Sequence, residues 1–549
     1  MIYLDVIGLL LGFLCAVLLF LLPDYSEKIA STKWRLCYLI PGLLCVILIL
    51  IADFEISMIP VYGCTFLLLA GFFKDQKAFR KKIAVISVVL ALTAFPVCLF
   101  NPGYRAIDYL ADFEKGFAQM QERYVMTDHK GIDWDALHQK YRPEFREATK
   151  NQDAIANLLT WQAFCAEFYD GHTSFTLDDE KLINSAKNAV YGNDYGLSMM
   201  KLSDGRTVAV NVEADSIPAQ NGIHEGTEIL FWDGMTPEQA ADKAVVICFL
   251  SYPDRDNQEF YHVIYGAGVG ADTAEIIFLD DTEAEQMIQV SKIGNYTERC
   301  EKTIRKINRG IEAGNLTWTE LTSDTVALRL KSMMSDSKTY TSGDYTGLKN
   351  QLRTEIQAFQ EKGIRNVIID LRSNGGGSGK MVEAIASLFA PEGTHYRCTG
   401  GIWDSMHGCY KTDPQTGKFL AGEACYFQGE NILGDGRIVM LVNSETISAG
   451  DHLVYAMQDM ENVTIMGFTE SNGSAQGVSS PVVLESGTLV FSTSLMLNQA
   501  QEILIDSGTD HQSGNTLDIR IPFDEDAMNA IFIRDEDYLL TKALEFLES

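Results

Sequence analysis

Basic residues are scarce in this chain. Across 549 residues, 44 Lys and Arg stand against 74 Asp and Glu, a formal net charge of −30. Binding nucleic acid through its phosphates needs basic surface, so this balance excludes that class of function. No CxxC pair occurs, which removes the commonest cysteine metal spacing, and no metal site is expected. Internal repeats and low-complexity tracts are also lacking. What remains is an ordinary globular composition: 46% hydrophobic residues rule out a largely disordered chain. The length exceeds what one hydrophobic core supports and suggests two to four domains.

The charge is unevenly spread. Residues 1–102 hold six acids and eight bases, a net of +2, which leaves −32 on residues 103–549. Four apolar stretches lie in that first part, at about 2–22, 36–52, 56–73 and 83–100. Each approaches the roughly 20 residues that cross a hydrocarbon core as a helix. Residues 1–6 lack a basic n-region and include Asp5, and three more apolar runs follow. A multi-pass anchor in membrane lipid therefore fits better than a cleaved signal peptide. The link at 74–82 carries five bases and one acid, whereas Asp53 and Glu55 make the preceding link purely acidic. Placing basic links inside puts both termini, and the acidic body, outside the cytoplasm. Six of the eleven cysteines belong to that body; Cys398, Cys409 and Cys425 fall close together, where an oxidising compartment would permit a disulfide.

Beyond Pro102 the pattern is mixed. The spacing of Leu110, Phe113, Phe117 and Met120 predicts a helix over 106–124, with further helices at 133–141 and 154–169. The last runs into Asp170-Gly171-His172-Thr173. From about Val190, short alternating strands and turns follow, including 207–213 and 228–232. From about Asp324, strands at 326–330, 367–371 and 437–442 alternate with helices at 345–362, 379–389 and 449–460. That alternation predicts an α/β core, a sheet covered by helices.

Two strand-to-helix turns in this core can carry chemistry. One is Leu371-Arg372-Ser373-Asn374-Gly375-Gly376-Gly377-Ser378-Gly379. Glycines between a strand and a helix let backbone N–H groups face an anion. The spacing is neither a P-loop nor GxGxxG, and a tight turn alone would not need three consecutive glycines. An oxyanion hole uses the same physics. The other turn is Asn443-Ser444-Glu445-Thr446-Ile447-Ser448-Ala449-Gly450-Asp451. A serine followed by small residues on such a turn has the mechanics of a nucleophile elbow, with the Ala449 N–H available to an oxyanion, although GxSxG is absent. Ser448 also reads as a helix N-cap, with Asp451 as a capping-box variant.

Taken together these residues resemble the S41 peptidases, which include the carboxyl-terminal processing proteases and tricorn-like enzymes. Gly131-Ile132-Asp133-Trp134, Tyr141-Arg142-Pro143 and Asp170-Gly171-His172-Thr173 look like the helical N-terminal region of that family. Gly196-Leu197-Ser198-Met199 and the stretch from Ser216 to Gly234 are similar to a PDZ domain. Asp370 to Gly377 and Thr446 to Asp451 look like the two core motifs. The apolar stretches give a transmembrane region at 1–102, and the resemblance, which covers about Asp108 onward, implies a helical part at 103–187. A PDZ-like β domain at 188–295 and an α/β peptidase core of the ClpP/crotonase-like type at 296–549 complete it.

It further implies Ser448 as nucleophile and Ala449 with Gly375 or Gly376 as oxyanion donors, with no metal or organic cofactor. Processing proteases use a lysine about two dozen residues after the serine. Here Asn472 or Gly473 stands in that place, and no lysine occurs from Phe419 to Leu540. Tricorn-like members use a histidine before the PDZ region, and His172 matches it; imidazole suits proton transfer near neutrality. The assisting glutamate of the family falls at His511, beside Asp510, so Asp510 as orienting group or His511 as base remain open. The Gly196–Met199 stretch is where a peptide carboxylate would be captured. The expected function is a membrane-anchored serine endopeptidase acting on extracytoplasmic proteins or peptides. The alternative is a catalytically silent receptor that binds peptide C-termini.

Overall fold

A computed structural model describes residues 107–243, 255–268, 272–406, 409–512 and 514–549. The four apolar stretches expected to span a membrane lie outside the described residues. Among the described residues no helix is long and apolar enough to cross one.

Three helices open the described chain: α1 (Tyr109–Arg123), α2 (Trp134–Asn151) and α3 (Ala154–Ala166). Each begins on an aspartate. Asp108, Asp133 and Asp153 accept the N–H groups of Ala111, Ala136 and Ala156, satisfying donors that a helix start leaves open. Their apolar faces meet in an aromatic cluster in which Phe113 stacks on Phe145 at 4.4 Å and Trp161 on Phe175 at 5.1 Å. The expected stop at Tyr141 is overridden, because α2 continues through Pro143 for a further ten residues. Phe145 and Ala148 are buried on the same face, so tertiary packing outweighs one lost helical hydrogen bond.

Residues 193–308 form small sheets and one long helix. Strand β1 (Ser198–Lys201) pairs antiparallel with β2 (Thr207–Val210), and β3 (Ile229–Trp232), β4 (Thr273–Leu279) and β5 (Glu285–Ser291) form a meander. Helix α4 (Tyr296–Ile307) packs its buried side against them.

The core that follows is a six-stranded sheet. Its strands are β6 (Leu316–Glu320), β7 (Thr325–Leu330), β8 (Asn366–Asp370), β11 (Ile438–Leu441), β12 (Val463–Gly467) and β14 (Ile519–Arg520). Between them come α5 (Thr346–Glu361), α6 (Gly379–Phe389) and α7 (Ala449–Met457). Strands β9 (Gly393–Gly401), β10 (Ala421–Gly429) and β13 (Met496–Leu497) make a separate three-stranded sheet. The main sheet runs β14-β12-β11-β8-β7-β6, parallel except for β6 at one edge. Alternation divides the strands between two cores. Val326, Leu328, Val367, Ile369, Ile438 and Met440 face α5, α6 and α7. Ala327, Ile368, Val439 and Leu441 face the other way, toward residues 195–307 and helix α8 (Tyr538–Glu548). A parallel sheet covered on both faces matches the expected α/β core.

Candidate active site

Adjacent parallel strands β8 and β11 release their chains side by side at their C-terminal ends, the usual location for a site in such sheets. Glycine-rich residues 373–378 follow β8, and residues 443–448 follow β11. The two turns are bound to each other. Asn443 Oδ1 accepts the Ser373 N–H at 2.9 Å, the Asn374 carbonyl accepts the Ile447 N–H at 3.0 Å, and Thr446 Oγ1 donates to the Leu371 carbonyl at 2.9 Å.

Ser448 ends its turn at φ +61°, ψ −118° and is half-buried. A positive φ is costly for a residue with a side chain and persists only where surroundings over-determine it. Here they do. The Ser448 N–H donates to Asp451 Oδ2 at 2.9 Å and to the Ser474 carbonyl at 3.0 Å. The Asp451 half of the capping box read from the sequence is thus present, and it holds the strained turn. Asp451 is fully buried and accepts two more backbone N–H groups, from Gly473 at 3.0 Å and Ser474 at 3.1 Å. Burial raises its carboxyl to about 6, against the opposing pull of the Ser471 hydroxyl and these N–H groups.

Gly376 lies against the serine at φ +78°. A Cβ placed there would stand 2.6 Å from Ser448 Cβ and 2.8 Å from the Ile447 carbonyl oxygen. The two glycine N–H groups expected to face an oxyanion are directed into the loop. Gly375 donates to the Lys331 carbonyl at 3.2 Å, and Gly376 to Asn374 Oδ1 at 2.9 Å. The Ala449 N–H, the third expected donor, has no acceptor among the described residues, and neither has that of Gly377.

The segment that would carry a catalytic lysine is occupied differently. Asn472 donates to the Ser444 carbonyl at 2.9 Å, and Gly473 and Ser474 are held by Asp451. Ala475 and Gln476 are bound by a second buried carboxylate, Asp506, at 2.8 and 3.1 Å. Asp506 is raised by its burial, with the Lys130 ammonium opposing and Asp170 adding to the rise.

The loop that carries His172 packs on this segment. The Gly171 N–H donates to Ser474 Oγ at 2.8 Å, and a Cβ on Gly171 would run into Asn472, Ser474 and Ile447. Asp170 Oδ1 accepts the His172 N–H at 2.9 Å and Oδ2 the Thr173 hydroxyl, also at 2.9 Å. The His172 imidazole makes no hydrogen bond among the described residues, and its Nδ1 is buried. Burial lowers its pKa, against the pull of Asp170. The structure therefore brings the loops that carry His172 and Ser448 onto the same segment, 472–475, with no hydrogen bond between the two side chains. His452, one helical turn after Ser448, was not singled out from the sequence. Its spacing four residues beyond Ser448 was the available signal. It is buried, with Nε2 at 2.9 Å from the Ala475 carbonyl and Nδ1 lacking a partner. Burial, with Arg397 and His172 adding, lowers its pKa to about 4, so it is neutral.

Asp510 and His511 are placed elsewhere. Asp510 is exposed and accepts the N–H of Gln512, and His511 stacks on Tyr169 with ring centroids 3.7 Å apart. The Gly196–Met199 stretch is closed. The Gly196 N–H donates to Asp194 Oδ1 at 2.8 Å, Leu197 and Met199 are fully buried, and Ser198 Oγ lies 2.9 Å from the Tyr296 hydroxyl. Residues 263–268 pack along β1, and a Cβ on Gly266 would lie 3.3 Å from the Met199 methyl. Cys398 and Cys425 face each other across β9 and β10 as free thiols, and Cys409 is free and exposed. No cluster that could hold a metal occurs among the described residues.

Residues 324–514 match the model of peptidase family S41, and residues 107–160 match that of the tricorn protease C1 domain. Similar folds include mature CPAF and a serine-to-alanine mutant of CPAF, each 14% identical. They superpose with TM-scores of 0.50 and 0.53, over 80% of this chain and 95% and 98% of theirs. A putative peptidase from Parabacteroides merdae is 15% identical over 80% of this chain and 97% of its own, at a TM-score of 0.42. These two regions are thus similar to the S41 and tricorn peptidases.

Proposed function

We propose that this S41-type chain is a serine endopeptidase in which Ser448 attacks the scissile carbonyl of a protein or peptide. The carrying observation is the serine at φ +61° between a parallel strand and a helix, with the Gly376 backbone against it. The attack forms an acyl-enzyme, which water then releases. The Ala449 N–H, at the start of α7, is the open donor for the oxyanion, and the glycine run supplies the opposite wall. His172 takes the serine proton and returns it to the leaving amine. Burial keeps it neutral and able to accept, and the Gly171–Ser474 bond holds residues 170–173 against the segment that also binds the Ser448 N–H. The absence of any lysine from Phe419 to Leu540 supports a histidine base.

The receptor reading finds less support, because residues 263–268 pack against β1, the strand beside which a peptide would add. Residues 1–102 would anchor the enzyme in a membrane with its catalytic part outside. A membrane-impermeant thiol reagent should then modify Cys409, exposed in the structure, on intact cells, and a Cys409→Ser variant should lose that signal. For the chemistry, a fluorophosphonate probe should label the wild-type protein and not Ser448→Ala. A folded wild type that resists labelling from about pH 6 to 9 would overturn the peptidase reading.

A further inference from the structure

One cation at the start of α6, the helix that follows the glycine turn, has no role in the chemistry above. Arg397 sits on β9 where the pairing with β10 slips between Tyr396 and Cys398. A bulge of this kind turns a side chain out of the register of its strand, and bulges collect beside active sites. The Arg397 side chain is drawn inward, leaving the residue 7% exposed. Its Nε donates to Glu383 Oε1 at 3.0 Å. Nη1 and Nη2 find no acceptor among the described residues, and neither is sealed from solvent. A guanidinium nine-tenths buried with two donor nitrogens uncommitted is unusual, since such groups are normally paired.

The position of these nitrogens is informative. A Cβ on Gly379, the first residue of α6, would stand 2.9 Å from Nη1, so the guanidinium lies across that helix start. The Gly379 N–H is itself without an acceptor among the described residues. Gly379 follows Gly376 by three residues, and Gly376 touches Ser448. On the other side, Arg397 is close enough to His452 to bear on its charge, after burial. Glu383 is shared with Lys380 at 2.9 Å, so the trio Lys380, Glu383 and Arg397 keeps one positive charge within a strongly acidic chain. Positive charge, a planar pair of donors and an open helix-start N–H match a carboxylate.

We propose that Arg397 and the Gly379 N–H form a subsite that selects substrates bearing a carboxylate near the scissile bond. This inference rests on the peptidase reading and names its substrate class. The carboxylate has two sources, an Asp or Glu side chain or the α-carboxylate of a peptide end. Three fluorogenic peptide sets separate them: internal Glu with an amidated end, Gln with a free acid end, and Gln with an amidated end, with the charge stepped along the peptide.

Wild-type protein should cleave one acidic set about 10- to 100-fold more efficiently than the neutral set, chiefly through KM. Arg397→Met should bring that ratio close to one, and Arg397→Lys should recover part of it. Should Arg397→Met fail to fold, Gly379→Ala serves instead, because its methyl would displace Nη1 and weaken the same discrimination. Fluorophosphonate labelling of the wild type, measured alongside, separates the two readings. Labelling with equal cleavage of all three sets overturns the carboxylate subsite and leaves the peptidase standing. Without labelling, the peptidase reading falls. The subsite is then judged by fluorescence anisotropy of the same peptides on Ser448→Ala, where equal affinity for acidic and neutral peptides overturns it.

Discussion

At the scale of the residue, the site depends on how a few buried polar groups are satisfied. Three backbone N–H groups converge on Asp451, including that of Ser448. An asparagine there offers one carbonyl oxygen where the carboxylate offers two. Asp451→Asn should therefore lower the melting temperature by several degrees and slow fluorophosphonate labelling about tenfold or more, as a labelling time course would show.

The same residue gives a signed pH effect. Its folded pKa of about 6 lies above the roughly 3.9 of an unfolded aspartate. The folded state then holds the proton more tightly, so this contribution to stability is present at low pH and is lost as pH rises from about 4 to 6. The loss is on the order of 2 to 3 kcal/mol. Denaturant titrations at pH 4 and pH 7 should show this slope in the wild type, and Asp451→Asn should lack it.

For His172, burial lowers the pKa, so the acid limb of activity should lie below the about 6.5 of a free imidazole. His172→Ala should cost about 10²- to 10⁴-fold in kcat. Retention of full turnover by that variant would remove His172 as base and leave Ser448 untouched.

At the scale of the element, the glycine turn makes a sharper demand than its composition suggests. Gly376 and Gly375 are neighbours with opposite tolerances. A methyl at Gly376 would collide with Ser448 at positive φ, whereas a Cβ at Gly375 meets nothing within 4 Å. Gly376→Ala should abolish labelling and lower the melting temperature, while Gly375→Ala should leave the melting temperature within about 2 °C of wild type. Three consecutive glycines were visible in the sequence, but which one touches the serine depends on β8 and β11 lying side by side.

Where hydrophobic periodicity was strong, elements matched closely. Helix 379–389 is found as Gly379–Phe389, and strand 326–330 as Thr325–Leu330. Helix α2 runs ten residues past its expected end at Tyr141, because the aromatic packing that carries it through Pro143 is not a local signal. Strands β9 and β10 went unread, since half-exposed runs such as Gly393–Gly401 alternate poorly. Ser448 was legible because a serine before small residues on a strand-to-helix turn is a local pattern. Asp506 and Arg397 were not, because each acquires its place only through partners 30 or 14 residues away in the chain.

At the scale of the whole molecule, the glycine turn is moored from below by a buried charge network. Arg372, 1% exposed, donates to Asp370 at 2.9 Å and to both oxygens of Asp537 at 2.6 and 2.8 Å, and Arg329 adds a second cation at 3.1 Å from Asp370. Burial alone would push the Asp370 carboxyl up, but Arg372 and Arg329 outweigh it and hold it below the usual range. Asp537 is also the N-cap of α8, accepting the Leu540 N–H. Removing it leaves a cation unbalanced in the interior. Asp537→Ala should cost about 3 kcal/mol or more, read from chemical denaturation. The stability contributed by Asp370, depressed in the fold, should persist above pH 4 and fade only as pH falls below that.

That mooring also sets an order of events during synthesis. A ribosome delivers Arg372 first and Asp537 only 165 residues later. Until then the turn beside Ser448 hangs from an arginine missing its second anion. The charge pairing of the glycine turn is thus complete only once Asp537 and helix α8 are in place. Chains truncated before Asp537 should accordingly resist fluorophosphonate, and adding α8 back as a separate peptide should restore labelling if the mooring alone is responsible.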